Sequence, residues 1–550
     1  MLNKINFLLK TILCSLIIFF AACGSWDVGN YGSGHDNTYD SSVEPEPGFY
    51  IDGNKIDMEW QNENNIIAEV IAYINSDSES NTDYTVSLSG DITEADEQVI
   101  NREGVSLTIT SREECKISKG GKTGRLFRVG GTLTRPIHAR LVVGGRITLE
   151  GSEDNTFELV GVYYGGVFEL YGYGKITGNT NSNRGGAIYA QGNSENGTVI
   201  TMRHSALICD NAALGSTATS GGIYMHTSAL ILYNNASIRE NAAQRSGGGV
   251  FANNSTIILY GNASICGNLS QENGGGIHID GSSLTLYDDS SIFYNFAGTG
   301  GGVFAANSSL ALRDNASIWT NTAQGGSTAS EGGGAYITRS QIVLYDKAAV
   351  TANTAKSSGN NAFGGGFYMY LSDLTLYDNA VISGNTADSA SDLSYGGGIY
   401  MAASQFYFTG GSLDGNTLKY KTAGMGGALC VFSGEFIISG NAAVPFSGDI
   451  TRNEEITTDK RNSIILHSGT TIAISGSLNA AKAGLTDLAG AWTDAKVLVD
   501  YNEGSPQNFN GNAPTGKFEL GKFIMTANPY TAADIGNSKI WDANGGIADK

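Results

Sequence analysis

Seven residues that recur once per repeat carry the side chains best suited to hold a ligand: Tyr224, Phe251, His278, Phe304, Tyr336, Tyr368 and Tyr400. Each stands between two apolar positions, so the alternation of a β-strand turns it to the opposite side of the sheet. A solvent-facing aromatic ladder is a platform for sugar rings or a partner's surface. The same ladder also serves, more blandly, to stabilise its own sheet by cross-strand stacking. A second series, Tyr233, Tyr260, Tyr287, Arg313, Tyr345 and Tyr377, is followed by Asn234, Gly261, Asp288, Asp314, Asp346 and Asp378. Stacked carboxylates bind calcium through oxygen, but Asn and Gly share the place as they do in a turn. The turn is the expected role, and neither a metal site nor a cofactor is expected. Catalytic residues are not assigned: there are only 6 His in the chain, and neither G-x-S-x-G nor H-E-x-x-H occurs. The paired carboxylates of sugar hydrolysis do not stand out from the repeat pattern.

The elements that must position these side chains are short strands in a repeat. Glycine pairs begin at Gly165, Gly185, Gly221, Gly248, Gly275, Gly301, Gly333, Gly365, Gly397 and Gly426. An aliphatic residue, two variable positions and an asparagine answer each pair, at Asn179, Asn211, Asn241, Asn268, Asn295, Asn321, Asn353, Asn385, Asn416 and Asn441. In the unit Gly274 to Asn295, Ile277/Ile279, Leu284/Leu286 and Ile292 mark three very short strands, each with one apolar side. A fixed core joined by elastic connections is the mark of stacked coils, and three strands per coil predict a right-handed parallel β-helix. The glycines then allow positive φ or close backbone approach, and the asparagines hydrogen-bond along the stack. Ten coils at about 4.8 Å make a rod section near 48 Å. From Asn to the next pair the connections run 7, 7, 6, then 12, 12 and 12 residues. The longer ones, around 322–332, 354–364 and 386–396, are expected to form a shelf beside the aromatic ladder.

The GG-[AIV] and I-x-x-N motifs, over roughly residues 165–445, resemble the GGA-[ILV] and F-x-x-N repeats of the chlamydial polymorphic outer-membrane proteins. More broadly they resemble bacterial β-helix surface proteins of the pectin-lyase-like superfold. Ile or Val replaces the family's Phe, and the autotransporter barrel at the C-terminus is missing. The resemblance implies an adhesin or surface antigen, with polysaccharide lyases and hydrolases as the alternative in the wider superfold. A structural coat protein without one specific ligand is a third reading.

The chain opens with Lys4 and Lys10 ahead of an apolar run, Thr11 to Phe20, too short to span a bilayer. It ends Phe20-Ala21-Ala22-Cys23-Gly24, which resembles a bacterial lipoprotein lipobox with Cys23 as the lipidated residue. An outer-membrane, cell-surface location follows from that resemblance, with the membrane contacted through lipid. The expected organisation is a signal peptide (1–22), a flexible tether (23–50) and a helical cap (51–84). Degenerate coils (85–164), regular coils (165–448) and a last section of coils with a C-terminal β cap (449–550) follow. A net charge of −20 argues against nucleic acid as a partner; a host protein or glycan is expected instead, met by a single copy of the chain. Glycine is 75 of 550 residues and proline only 7, unlike disordered Pro/Gly-rich chains. Cys209 and Cys266 fall two coils apart, roughly 9.6 Å, beyond the reach of a disulfide.

Overall fold

The computed structural model describes residues 39–442, except 58–65, 77–80, 95 and 326–327, and then the strand segments between 450 and 549. The repeats wind as a right-handed parallel β-helix of about 11 turns. Its first face carries the strand after most of the glycine pairs and runs from Gln98–Ile100 through Ile223–His226 to Leu429–Val431. The second runs from Asp83–Ser87 through Ser228–Leu232 to Gly434–Gly440. The third is a 12-stranded sheet from Ile92–Thr93 to Ser412–Asp414.

Register follows the apolar pattern. Ile223, Val250, Ile277, Val303, Ala335, Phe367 and Ile399 pair in sequence down the first face. Leu230, Ile257, Leu284 and Leu310 do so on the second, and Ile238, Ile265, Ile292 and Ile318 on the third. All are buried, and each such aliphatic side chain removed from water contributes about 1.5–3 kcal/mol. A one-residue slip would put every one of them on the outside.

Corners are made by single left-handed residues. One coil turns at Gly247, Asn254, Gly261 and Gly267, with φ of 67°, 48°, 67° and 63°. The positive φ therefore sits at the residue before the repeated Gly248-Gly249 pair. The pair itself is needed for closeness: a Cβ at Gly249 would stand 2.8 Å from the Gly276 carbonyl oxygen and 3.0 Å from the Asn268 amide nitrogen. Both expected uses of glycine occur, at adjacent positions.

The asparagines form one buried column. Asn268 donates from Nδ2 to Asn295 Oδ1 and to the Ile238 carbonyl, each at 3.0 Å, and its backbone N–H also reaches Asn295 Oδ1 at 2.9 Å. The pattern repeats from Asn211 to Asn416. A second buried column consists of Ser228, Ser255, Ser282, Ser308, Ser340, Ser372 and Ser404, each Oγ accepting the preceding serine's backbone N–H. Sequence reading missed it, although a serine stands two residues before Leu230, Ile257, Leu284, Leu310, Ile342, Leu374 and Phe406 in seven successive coils.

Three expectations are corrected. Gly165-Gly166 lies between the first-face strand Val160–Tyr163 and the second-face strand Val167–Leu170, one corner later than the other pairs. Asn441 is exposed and outside the column, because Ile438 pairs with Phe408 on the second face and no third-face strand separates the two. Residues 39–50, expected as part of the tether, are built into the rod. Glu44 is buried, taking hydrogen bonds from Thr110 Oγ1 (2.6 Å) and the hydroxyls of Tyr171 (2.8 Å) and Tyr39. Gly48–Ile51 then pairs antiparallel with Tyr84–Ser87.

At the N-terminal end, helix Ile66–Ser76 lays Ile67, Val70, Ile71 and Ile74 against the core. At the other end the strands stay parallel through Leu429↔Ile464↔Leu485, then turn antiparallel at Val497↔Phe509, Ile524↔Ile540 and Lys539↔Asp549. A helix covers the core at one end, and antiparallel strand pairs stand at the other. The signal peptide, Cys23 and most of the tether lie outside the described residues.

Candidate functional site

The first-face ladder exists as one column. Centroids from Tyr224 through Phe251, His278, Phe304, Tyr336 and Tyr368 to Tyr400 are 5.3, 4.7, 4.6, 4.9, 4.8 and 5.2 Å apart. All are stacked, with interplanar angles no greater than 24°. Tyr189 extends the column at 5.2 Å from Tyr224, and Tyr163 leans on Tyr189 at 5.7 Å. The Arg184 guanidinium lies over Tyr224. Exposure is partial: Tyr224 and Tyr400 are 8% exposed and the others half-buried. Parallel register at the coil repeat spends ring faces on neighbouring rings, so this side offers ring edges and hydroxyls and not flat π-faces. His278 has a buried Nδ1 without a hydrogen bond. Burial between two phenylalanines pushes its pKa down to about 4, so it is neutral at pH 7.

The long connections form the expected shelf, with structure of their own. Ser330–Glu331, Ala362–Phe363, Leu393–Tyr395 and Ala423–Met425 pair as a small parallel sheet. Beneath it Ala355, Ala362, Ala387, Leu418 and Tyr420 make a separate core. Phe363 and Tyr395 reach the column, Phe363 lying 5.1 Å from Tyr400 and 6.3 Å from Tyr368. At the shelf's edge the Glu331 carboxyl has no hydrogen-bond or ion-pair partner among the described residues, and burial pushes its pKa up to about 7. Burial raises the pKa values of Tyr336, Tyr368 and Tyr400, and the Glu331 charge adds to the rise at each. A carboxyl half-protonated at neutrality can donate as well as accept hydrogen bonds.

The second series is resolved by its hydrogen bonds. Asp288, Asp314, Asp346 and Asp378 hold left-handed turn positions with φ of 53–57°. Their carboxylates accept backbone N–H groups of the preceding coil: the Gly261 N–H donates to Asp288 Oδ2 (2.8 Å), the Asp288 N–H to Asp314 Oδ2 (3.1 Å), and so on. They are turn residues. The tyrosines stack as Tyr233–Tyr260–Tyr287 and Tyr345–Tyr377, with Arg313 over Tyr345 at 4.2 Å.

The fold also assembles a charged cluster that the spacing of the sequence hides. Arg125 binds Glu158 (2.5 Å) and Glu97 (3.5 Å), Arg128 binds Glu97 (3.6 Å), and the Tyr163 hydroxyl donates to Glu158 (3.2 Å). Nearby, Glu94 is fully buried, takes a hydrogen bond from Gln98 Nε2 and is pushed by burial to a pKa of about 7. Its members come from three degenerate coils, and the one visible signal is local: Lys116, Lys119, Lys122, Arg125 and Arg128 crowd into 13 residues of an acidic chain. Cys115, Cys209, Cys266 and Cys430 are free thiols, with Arg239 standing between Cys209 and Cys266 in register.

Fold and columns together define a parallel β-helix held by side-chain ladders. No family model matches the chain, and no curated protein matches it. Among solved structures it is similar to a tailspike protein mutant of E. coli bacteriophage HK620, determined in complex with a pentasaccharide. Identity is 11% and the TM-score 0.29, with 90% of this chain and 88% of that chain covered.

Proposed function

We propose that the protein is a binding rod of the bacterial surface, anchored at the outer membrane through lipid on Cys23. It retains a glycan or a host or matrix protein along its first face. This reading extends the resemblance of its repeats to those of the chlamydial polymorphic outer-membrane proteins. The observation that carries it is the unbroken aromatic column from Tyr224 to Tyr400, flanked at its C-terminal end by the shelf and the half-buried Glu331 carboxyl. Edges and hydroxyls suit an extended, hydrogen-bonding partner.

Replacing Tyr336, Tyr368 and Tyr400 by Ser would remove stacking together with hydroxyls. The triple Tyr→Phe variant separates them, since Phe251 and Phe304 already occupy the column. It should keep the melting temperature and lower retention of the partner identified on glycan and matrix-protein arrays by about tenfold, or 1.4 kcal/mol. Unchanged retention would refute the first-face reading.

A second reading, cleavage of a polysaccharide, draws on Glu97 and Glu158, two carboxylates bridged by Arg125. Depolymerisation of an acidic or neutral polysaccharide that disappears in Glu158→Gln would favour it over binding alone.

A further inference from the structure

On the first face successive rings occupy each other's faces, but the third face holds an aromatic stack that stops. Its outward column runs in register through Cys209, Arg239, Cys266, Phe293, Trp319, Thr351, Ser383 and Asp414. Phe293 and Trp319 stack at 4.6 Å and 10°. Tyr294, held at φ 54° in the adjoining turn and 39% exposed, sets its ring edge-on to both, at 5.5 and 5.1 Å. The other indole face looks along the rod axis toward Thr351. A threonine side chain is far shorter than an aromatic ring, and Ser383 beyond it is shorter still. The coil repeat keeps first-face rings 4.6 to 5.3 Å apart, but here no ring follows, so the Thr351-facing side of Trp319 has no stacked neighbour. Hydroxyls follow on that side and the exposed Asp414 ends the column. Among the described residues the indole N–H has no hydrogen-bond partner, which leaves it able to donate to a ligand.

We infer that this step is a sugar-binding subsite, in which one neutral pyranose ring of a glycan lies against the free face of Trp319. The C–H bonds on one side of a pyranose carry partial positive charge and pack on the electron-rich indole face. Its hydroxyls then meet Thr351, Ser383 and the indole N–H around the ring's edge. Tyr294, edge-on to Phe293 and Trp319, braces the stacked pair from the side. A flat nucleobase could lie on the same indole face, but a chain of net charge −20 repels the phosphates that come with it. The subsite is independent of the first face and stands whether or not that face binds a partner.

The test fills the gap. Thr351→Phe adds one more ring to a column that already accepts Phe and Trp, so the melting temperature should hold or rise while the indole face is covered. The full chain, Thr351→Phe, Trp319→Ala and the triple Tyr→Phe variant are compared on an array of neutral hexose and N-acetylhexosamine oligosaccharides. Spots that belong to the subsite should lose at least tenfold in signal with Thr351→Phe and with Trp319→Ala, and keep their signal in the triple Tyr→Phe variant. Titration with a retained oligosaccharide should also shift tryptophan emission in the wild type and fail to do so in Thr351→Phe. An array on which no spot responds to Thr351→Phe, or on which the wild type retains no sugar, overturns the inference. Loss of the same spots in the triple Tyr→Phe variant alone assigns them to the first face and overturns it equally.

Discussion

Each asparagine of the column closes several hydrogen bonds that no other side chain of its size can close together. Asn321 Oδ1 accepts the backbone N–H and the amide of Asn295, while its Nδ2 serves the Ile292 carbonyl (2.9 Å), the Trp319 carbonyl (3.1 Å) and Asn353 Oδ1 (3.0 Å). Asn321→Ala strands these groups in a fully buried corner, and the loss should be about 3–5 kcal/mol. Asn321→Asp keeps the acceptor but loses the donors and sets a charge against Asn353 Oδ1. It should lower the melting temperature at pH 7 at least as far as Ala. An Asp variant as stable as wild type would mean that the amide donors contribute little. His278 adds a pH dependence whose sign is determined. Its folded pKa, about 4, lies below the ordinary 6.5, so between those values the unfolded chain binds a proton that the folded one refuses. This contribution is favourable above pH 6.5, falls as pH drops toward 4 and then levels off. His278→Phe should therefore lose less stability than wild type between pH 7 and 4.5, by on the order of 2 kcal/mol. Parallel melts at the two pH values measure the difference.

At the scale of elements, the strands on each face are too short to bury an apolar surface alone, so the stack needs closed ends. Helix Ile66–Ser76 closes one of them with Val70, which is fully buried. Val70→Asp places a charge on the end of the core and should cost several kcal/mol. Light scattering should then show end-to-end association, because the bare strands of the first coil become a template for another rod. A variant that stays monomeric and melts like wild type would assign the closure elsewhere. Loop length in the sequence located the shelf, since three neighbouring connections of 12 residues are long for a solenoid corner. It could not reveal that these loops pair as a sheet over their own small core. That pairing depends on Ala362, Phe363 and Tyr395 meeting across coils, far apart along the chain.

For the whole molecule, the decisive prediction concerns attachment. Cys23→Ser should move the protein from the detergent-extracted membrane fraction to the soluble fraction, with the melt of the rod unchanged. Continued partition with membranes would remove lipidation as the anchor. Because Glu44 and the strand Gly48–Ile51 are built into the first coils, any soluble form should begin before Tyr39. A cut at residue 50 would strip Glu44 from Thr110 and Tyr171 and destabilise the rod.

The architecture was readable in the chain because a solenoid repeats one local rule: period-two apolar residues, a glycine pair and an asparagine at constant spacing. Identical side chains must then stack at the strand repeat. The aromatic column was legible for the same reason. Where the repeat decays, the pattern lost its power. Gly165-Gly166 and Asn441 satisfy the motif as letters yet lie on different corners, since register is a property of pairing across coils. The Glu97–Arg125–Glu158 cluster, the Glu331 edge and the step at Trp319 arose from contacts between coils whose residues share no local signature. Whether a ring's face is covered or free depends on the residue one turn away, and that neighbour is chosen by the winding of the chain.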